Sequence, residues 1–307
     1  MKYFIKILMS LLVLLGISSC NENKQFQEEL YKNVFAIVSS DSYNVFEKEH
    51  NLDEAESTGY ISISMGGTNP TTKDTKITLV QDLDLFNRYN KGTYDVETEK
   101  YANLLSPGKY TIDSYNLTVP AGQREVRLPI KIRPEGLSPD STYMISLKIA
   151  EYSDYEVNPD KSDVLYRVYI KNYYAAQKSQ TNYNMKGSLD GGNILGTKRV
   201  FPLKGNSIRI IAGNQGFEAD TAIINKWSIA VEVAGNGHAT IKPFRNNRIQ
   251  VEQIDDDPNY PNKFFIEDDG FRTFKSFLLH YKFKVEGDNN IHESREELRL
   301  EFNEENE

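Results

Sequence analysis

The sequence predicts an all-β protein with two domains, an N-terminal Ig-like β-sandwich followed by a second antiparallel β-domain. Three observations support this prediction. Apolar and polar residues alternate along many short segments, turns containing Gly or Pro separate these segments, and a polar stretch near residue 180 interrupts the alternation. The length of 307 residues is enough for two domains of ordinary size.

The first residues predict a secretory signal and a lipid anchor. Lys2 and Lys6 precede an apolar stretch from Ile7 to Ile17, and small residues then lead to Cys20, the only cysteine of the chain. This stretch of about eleven residues is too short for a helix that needs about 20 to span a bilayer. We therefore expect a signal peptide over residues 1–19 and lipidation of Cys20, whose surroundings resemble a lipobox. The predicted location is the cell envelope, as an outer-membrane lipoprotein, with surface exposure left open.

The first predicted domain follows a short polar tether. Residues 20–30 are expected to form the tether, and residues 31–172 the Ig-like sandwich. Within this domain, Glu125 to Ile132 and Tyr143 to Ile149 alternate as half-buried antiparallel strands do. The exception is Asp95 to Leu105, which predicts one or two helical turns.

The second predicted domain follows a polar linker. We assign residues 173–184 to the linker, residues 185–303 to the domain and residues 304–307 to a solvated tail. Phe277 to Phe283 is the longest alternating run, and Trp227 is expected to share a buried strand face with Ile229, Val231 and Val233. Such a meander closes into a barrel-like, calycin-like or sandwich arrangement, and the sequence leaves these three open.

Composition and motifs argue against several classes of function. A net charge of −8 disfavours nucleic-acid binding, which needs a basic surface. With Cys20 lipidated, the body has no thiol for disulfides or thiolate catalysis. The histidines His50, His238, His280 and His292 lack the short spacing of metal ligands, and no phosphate-binding, dinucleotide-binding or nucleophile-elbow motif occurs. No catalytic residue, metal site or cofactor is predicted.

A few local features are candidate functional residues. Tyr173, Tyr174 and Tyr260 lie in predicted loops, where their rings are candidates for stacking on sugars. The acidic run Asp255 to Asp257 offers oxygen ligands for calcium, but it lacks the glycine and the distal glutamate of a calcium loop, so a solvated loop is favoured. His280 lies on the polar face of its strand and is expected to be solvated. For Trp227, packing in the core is favoured over a sugar platform.

Five segments between Leu83 and Ile149 carry a resemblance to a known family. They are Leu-Phe-Asn-Arg-Tyr-Asn at residues 85–90, Tyr-Ala-Asn-Leu-Leu at 101–105, Tyr-Thr-Ile at 110–112, Val-Pro-Ala-Gly at 119–122 and Leu-Ser-Pro-Asp-Ser-Thr-Tyr at 137–143. In this order they resemble the N-terminal Ig-like domain, of unknown function, of a group of Bacteroidetes surface lipoproteins. Residues after about 180, with Tyr183, Gly187, Phe201 and Trp227, resemble the C-terminal β-domain that accompanies it.

The resemblance implies a role in glycan use. Members are encoded with outer-membrane glycan-import systems and are expected to bind glycans or to act as adhesin-like proteins, and the family offers no catalytic motif. The leading hypothesis is therefore a lipid-anchored, non-catalytic protein that binds a polysaccharide or glycoconjugate. The alternatives are an adhesin-like or structural subunit with an outer-membrane protein partner and, less favoured, a glycan-acting hydrolase with a pair of carboxylates.

Overall fold

The structure is a computed structural model that describes residues 31–245 and 248–303. The predicted signal peptide, the predicted lipidation site Cys20, the tether over residues 20–30 and the tail over residues 304–307 lie outside the described residues. Within the described residues, no helix is long and apolar enough to cross a membrane.

The first half of the chain forms two β-sheets. Its strands are β1 Val34–Ile37, β2 Val45–Asn51, β3 Ser57–Met65, β4 Thr75–Gln81, β5 Asn103–Leu104, β6 Tyr110–Thr111, β7 Asn116–Val119, β8 Glu125–Ile132, β9 Tyr143–Tyr152, β10 Glu156–Val157 and β11 Asp163–Lys171. One sheet has the order β10-β1-β3-β8-β6, and the other has the order β2-β11-β9-β4-β7 with β5 added beside β9. Most pairs are antiparallel, but β2 lies parallel to β11 along its whole length.

One apolar core lies between these two sheets. The alternation predicted for β8 and β9 is confirmed, because Leu128, Ile130, Ile145 and Leu147 are all buried in this core. Residues on the opposite face of β9 are buried as well, since a helix covers that face. The N-terminal domain is therefore a sandwich with an extra layer on one side.

That extra layer is helix α1, Asp84–Tyr94, which the sequence analysis did not predict; of the helical turns predicted over Asp95 to Leu105, the structure has one 3₁₀ turn. Leu85, Phe86 and Tyr89 of α1 pack on Met144, in the hydrophobic cluster outside the main core. The helix ends at Asp95, whose φ of 47° is incompatible with a further right-handed turn. Downstream there is only a 3₁₀ turn at Thr98–Lys100 before β5; two further 3₁₀ turns occupy Pro107–Lys109 and Pro159–Lys161.

The second half forms another pair of sheets. Its elements are β12 Asn182–Leu189, β13 Gly192–Arg199, β14 Phe201–Lys204, β15 Ser207–Ile211, α2 Thr221–Trp227, β16 Ser228–Val233, β17 Ala239–Pro243, β18 Ile249–Gln253, β19 Lys263–Asp268, β20 Thr273–Val285 and β21 His292–Phe302. One sheet has the order β13-β12-β21-β20-β18 with β19 beside β20, and the other has the order β14-β15-β16-β17. Side chains from both sheets share one core, so the arrangement is sandwich-like.

Trp227 does not lie on a strand, which corrects the prediction that it shares a strand face with Ile229. It is the last residue of α2, a helix that begins where the Asp220 carboxylate accepts hydrogen bonds from the backbone N–H groups of Ala222 and Ile223. The indole contacts Phe283, with 6.4 Å between the ring centroids. Trp227 thus packs against the second core, as favoured from the sequence, but from a helix end.

Candidate interdomain site

A cleft of about 980 Å³ lies between the two pairs of sheets. Its walls come from β2, from the chain that follows β11, and from the ends of β20 and β21. Polar side chains such as Lys48 and Asn51 form much of the lining, together with the rings of Tyr173, Tyr174 and Phe302. A concave, polar surface with a few aromatic rings has the composition expected of a site for a hydroxyl-rich ligand.

Tyr173 is held in place by its neighbour Lys275. The Lys275 ammonium lies 4.1 Å from the centroid of the Tyr173 ring and 4.7 Å from that of Phe302. It also donates a hydrogen bond of 2.5 Å to the carbonyl oxygen of Tyr173. Lys275 is buried, whereas 40% of Tyr173 is exposed. The cation–π contact and the hydrogen bond therefore orient a ring that still presents surface to the cleft.

Tyr174 belongs more to the core than to the cleft. Its ring packs edge-on against Phe264 at 4.8 Å and tilts toward Phe277 at 5.8 Å. Its carbonyl oxygen accepts a hydrogen bond of 2.9 Å from the Tyr183 hydroxyl, and burial raises the pKa of its phenol. Tyr174 thus lines the cleft beside Tyr173, but most of its contacts are with the core.

The third candidate ring, Tyr260, is not among the residues that line the cleft. It lies in the loop between β18 and β19, where its backbone N–H donates to the Asp257 carboxylate at 3.3 Å. The structure therefore brings Tyr173 and Tyr174 together and leaves Tyr260 at a separate place. Ligand binding by any of the three stays a prediction.

Asn172 shapes the turn that carries the two tyrosines, a role that the sequence analysis did not predict. Its amide nitrogen donates to the carbonyl oxygens of Lys204 and Ser207 at 2.7 and 2.9 Å. Its side-chain oxygen accepts from the N–H groups of Tyr174 and Ala175 at 3.0 and 2.9 Å. Four hydrogen bonds satisfy this buried amide and fix the turn to the second domain.

A second polar cluster surrounds His280, which corrects the prediction that this histidine is solvated. His280 is only 3% exposed. Its ring nitrogens lie 3.1 Å from the Asp257 carboxylate and 3.0 Å from that of Glu293. Arg295 contacts both carboxylates, at 2.9 and 2.7 Å. His280 is buried because the loop containing Asp257 folds over the outer face of β20, where the side-chain oxygen of Asn262 accepts a hydrogen bond of 2.8 Å from the backbone N–H of His280.

The acidic run Asp255 to Asp257 is only partly the solvated loop favoured from the sequence. Asp255 and Asp256 are exposed, but the Asp257 carboxylate is largely covered and bound by Arg295. That hydrogen bond lowers the pKa of Asp257, and the hydrogen bond with His280 lowers the pKa of Glu293. In the described part of the chain, no group of three or more His, Cys, Asp and Glu side chains is placed to hold a metal ion.

Models of known protein families match both halves of the chain. A family model described as an N-terminal domain matches residues 27–156, and its companion, described as C-terminal, matches residues 162–299. No curated protein matches the chain.

Several solved structures from Bacteroides share the fold. A protein of unknown function from Bacteroides ovatus has a TM-score of 0.65 at 17% identity, covering 88% of this chain and 95% of its own. A multidomain protein including DUF1735, also from Bacteroides ovatus, has a TM-score of 0.63 at 16% identity, with coverages of 87% and 94%. An auxiliary nutrient binding protein from Bacteroides thetaiotaomicron has a TM-score of 0.59 at 18% identity, with coverages of 86% and 94%. At these identities the likeness shows a common fold.

Proposed function

We propose that this chain, which belongs to the two-domain family defined by the paired N-terminal and C-terminal models, is a non-catalytic, lipid-anchored protein that holds a glycan in its interdomain cleft. The observation that carries the proposal is the direct contact of Tyr173 with Lys275 in the lining of that cleft. The contact fixes a partly exposed aromatic ring beside a polar wall. A sugar has an apolar ring face that can stack on the aromatic ring and hydroxyl groups that can hydrogen-bond to the polar wall.

The polar wall supplies both hydrogen-bond donors and acceptors. Lys48 and Lys171 donate, Glu49 and Asp53 accept, and Asn51 does both. Burial, together with the charge of Glu54, raises the pKa of Asp53. Sugar hydroxyls both donate and accept, so a mixed lining of this kind suits them better than it suits an apolar ligand.

The related structures support a nutrient as the ligand class to test. One of them carries the name auxiliary nutrient binding protein. The identity of 18% limits that likeness to the fold, so the name motivates the choice of ligands and the cleft carries the argument.

The charge states at the second cluster support a role without catalysis there. Glycoside hydrolysis needs one carboxylic acid that is protonated near neutral pH, which requires a raised pKa. At Asp257 and Glu293 the pKa is lowered, because Arg295 and His280 stabilise the ionised forms. Both groups are thus carboxylates bound in ion pairs, without a proton to give to a leaving group.

The proposal is tested by titrating glycans against residues 21–307. The panel contains xylan, galactomannan, yeast mannan, laminarin and pectic galactan, with chondroitin sulfate and polygalacturonate as anionic probes. We expect saturable binding of at least one panel member, accompanied by a rise in melting temperature, since a ligand specific for the folded state stabilises it.

Two variants locate the site. Tyr173→Ala removes the cleft ring and is expected to weaken binding at least tenfold, while Tyr260→Ala, outside the cleft lining, is expected to leave it unchanged. Circular dichroism and thermal melting confirm that both variants are folded. No binding by the folded wild-type protein across the panel would overturn the proposal. Equal losses in both variants would overturn the assignment to the cleft.

A further inference from the structure

We infer that the binding surface continues beyond the cleft to the tip of the β19–β20 hairpin and takes a linear, uncharged oligosaccharide several sugars long. This inference rests on the proposed function and specifies its ligand. Three features carry it: the continuity of two depressions, an exposed aromatic ring at the far end, and a nearly balanced charge along the lining.

A second depression, of about 640 Å³, adjoins the interdomain cleft. Glu301 and Phe302, at the end of β21, line both. Ile266 and Thr273 of the β19–β20 hairpin form the wall of the second depression. The two are therefore neighbouring parts of one groove that follows the end of β21, with the Phe302 ring at their junction.

Phe271 marks the far end of this groove, and 96% of it is exposed. Its position is set by the turn that joins β19 to β20. The Asp269 carboxylate accepts hydrogen bonds from the N–H groups of Phe271 and Arg272 at 3.0 and 2.9 Å. Gly270 adopts a φ of 85°, which favours glycine, and donates its N–H to Asp268 at 2.7 Å. An ordered turn thus presents an apolar ring that adds almost nothing to the core.

The floor of the groove is ordered as well. Arg272 pairs with Glu301 at 2.9 Å, and Thr273 lies opposite Phe302 in the strand register. From Lys275, beneath Tyr173, to Phe271 the chain spans four residues, or at most roughly 13 Å of extended strand. That upper bound leaves room for more than one pyranose ring. Aromatic rings therefore stand at both ends and at the junction of a groove that fits a chain of sugars.

The charges along the groove favour an uncharged ligand. The two depressions together are lined by the basic residues Lys48, Lys171, Arg272 and Lys275 and by the acidic residues Glu49, Asp53, Glu54, Asp268 and Glu301. Among the described residues, these four positive and five negative groups nearly cancel. A polyanion would meet no net attraction here, and a polycation only a weak one.

The test uses oligosaccharides of two to eight sugars, made by partial hydrolysis of the panel polysaccharide that binds. Their affinities for residues 21–307 are measured by isothermal titration calorimetry. We expect affinity to rise with chain length and then to level off. Phe271→Ala should weaken binding of the longest oligosaccharide about three- to tenfold, leave the disaccharide unchanged and leave the melting temperature unchanged.

Leu195→Ala is the matched control, because Leu195 is also highly exposed, at 84%, and lies outside both depressions. It should bind like the wild-type protein. If disaccharide and octasaccharide bind equally and Phe271→Ala changes neither, the extended groove is wrong while the proposed function stands. Preference for chondroitin sulfate or polygalacturonate would overturn the assignment of an uncharged ligand. No glycan binding at all would overturn both proposals.

Discussion

The guanidinium of Arg209, in the second domain, binds the carboxylate of Asp140, in the first. The Nη2 atom lies 2.7 Å from Oδ1, and Nη1 contacts the other carboxylate oxygen. Arg209 is fully buried, with its guanidinium 4.2 Å from the centroid of the Phe201 ring and 5.2 Å from that of Phe244. A paired, stacked arginine of this kind fixes a point of contact between the two domains with defined geometry.

Breaking this pair is expected to destabilise the protein strongly. Asp140→Ala leaves the Arg209 charge buried without its partner, which typically costs about 3 kcal/mol or more. Urea unfolding of the wild-type protein, Asp140→Ala, Arg209→Met and the double variant measures the cost and the coupling. We expect the double variant to be more stable than the sum of the single changes implies. Strict additivity would contradict the proposed coupling between the domains.

His50 is expected to make the protein sensitive to mild acid. Burial, reinforced by the positive charge of Lys48, lowers the pKa of His50 to about 4 from 6.5. Below pH 6.5, His50 binds a proton in the unfolded chain but not in the folded chain. The free energy of unfolding therefore decreases as pH falls toward about 4. This shift in the pKa of His50 corresponds to about 3 kcal/mol in the free energy of unfolding.

The measurement compares urea unfolding of the wild-type protein and His50→Gln at neutral pH and near pH 4.5. The glutamine keeps a polar partner for the Tyr166 hydroxyl, which lies 3.0 Å from the histidine ring. Between these two pH values, the difference in unfolding free energy between the wild-type protein and His50→Gln should change by a large part of about 3 kcal/mol. His238→Gln, at an exposed position, is the control. A difference that is independent of pH would exclude His50 as the source.

His292 is expected to act in the opposite direction. Hydrogen bonds to Asp288 and Asp190, at 3.0 and 2.7 Å, raise the pKa of His292. The stabilisation by the imidazolium is therefore fully present below pH 6.5 and is lost as pH rises through the raised pKa. His292→Asn should be less stable than the wild-type protein at pH 6 and nearly equal to it at pH 9. Equal stabilities at both pH values would contradict the assignment.

Cys20 is predicted to anchor the protein to a membrane. Cys20→Ser, produced in a bacterium that processes lipoproteins, should move from the membrane fraction to the soluble fraction and lose labelling by a radioactive fatty acid. Ser19→Ala is a neighbouring control that keeps the cysteine. Membrane association that persists in Cys20→Ser would show that another part of the chain provides the attachment.

The fold class was predictable because alternation reports which side chains face a core. Leu128 and Ile130 follow the rule, and the all-β fold with two domains is confirmed. The rule failed at His280, because the loop between β18 and β19 covers the outer face of β20. It failed at Trp227 as well, because a helix N-capped by Asp220 ends where a strand was expected. The alternation of residues within a segment reveals neither the loop that covers His280 nor the helix that ends at Trp227.

The candidate site was predictable only in part. Tyr173 was identified as a loop aromatic, but the contact that orients it comes from Lys275, about a hundred residues away. Asn172 was assigned to the end of the first domain, and its hydrogen bonds to Lys204 and Ser207 depend on how the two domains meet. Phe271 was not identified from the sequence, because its exposure depends on the tertiary structure.

The most direct test of binding in the interdomain cleft is a crystal structure of residues 21–307 with an oligosaccharide from the panel polysaccharide that binds. The account predicts sugar density between β2 and the end of β21, with one ring against Tyr173 and the chain extending toward Phe271. Density at the His280 cluster, or anywhere outside the groove, would contradict it.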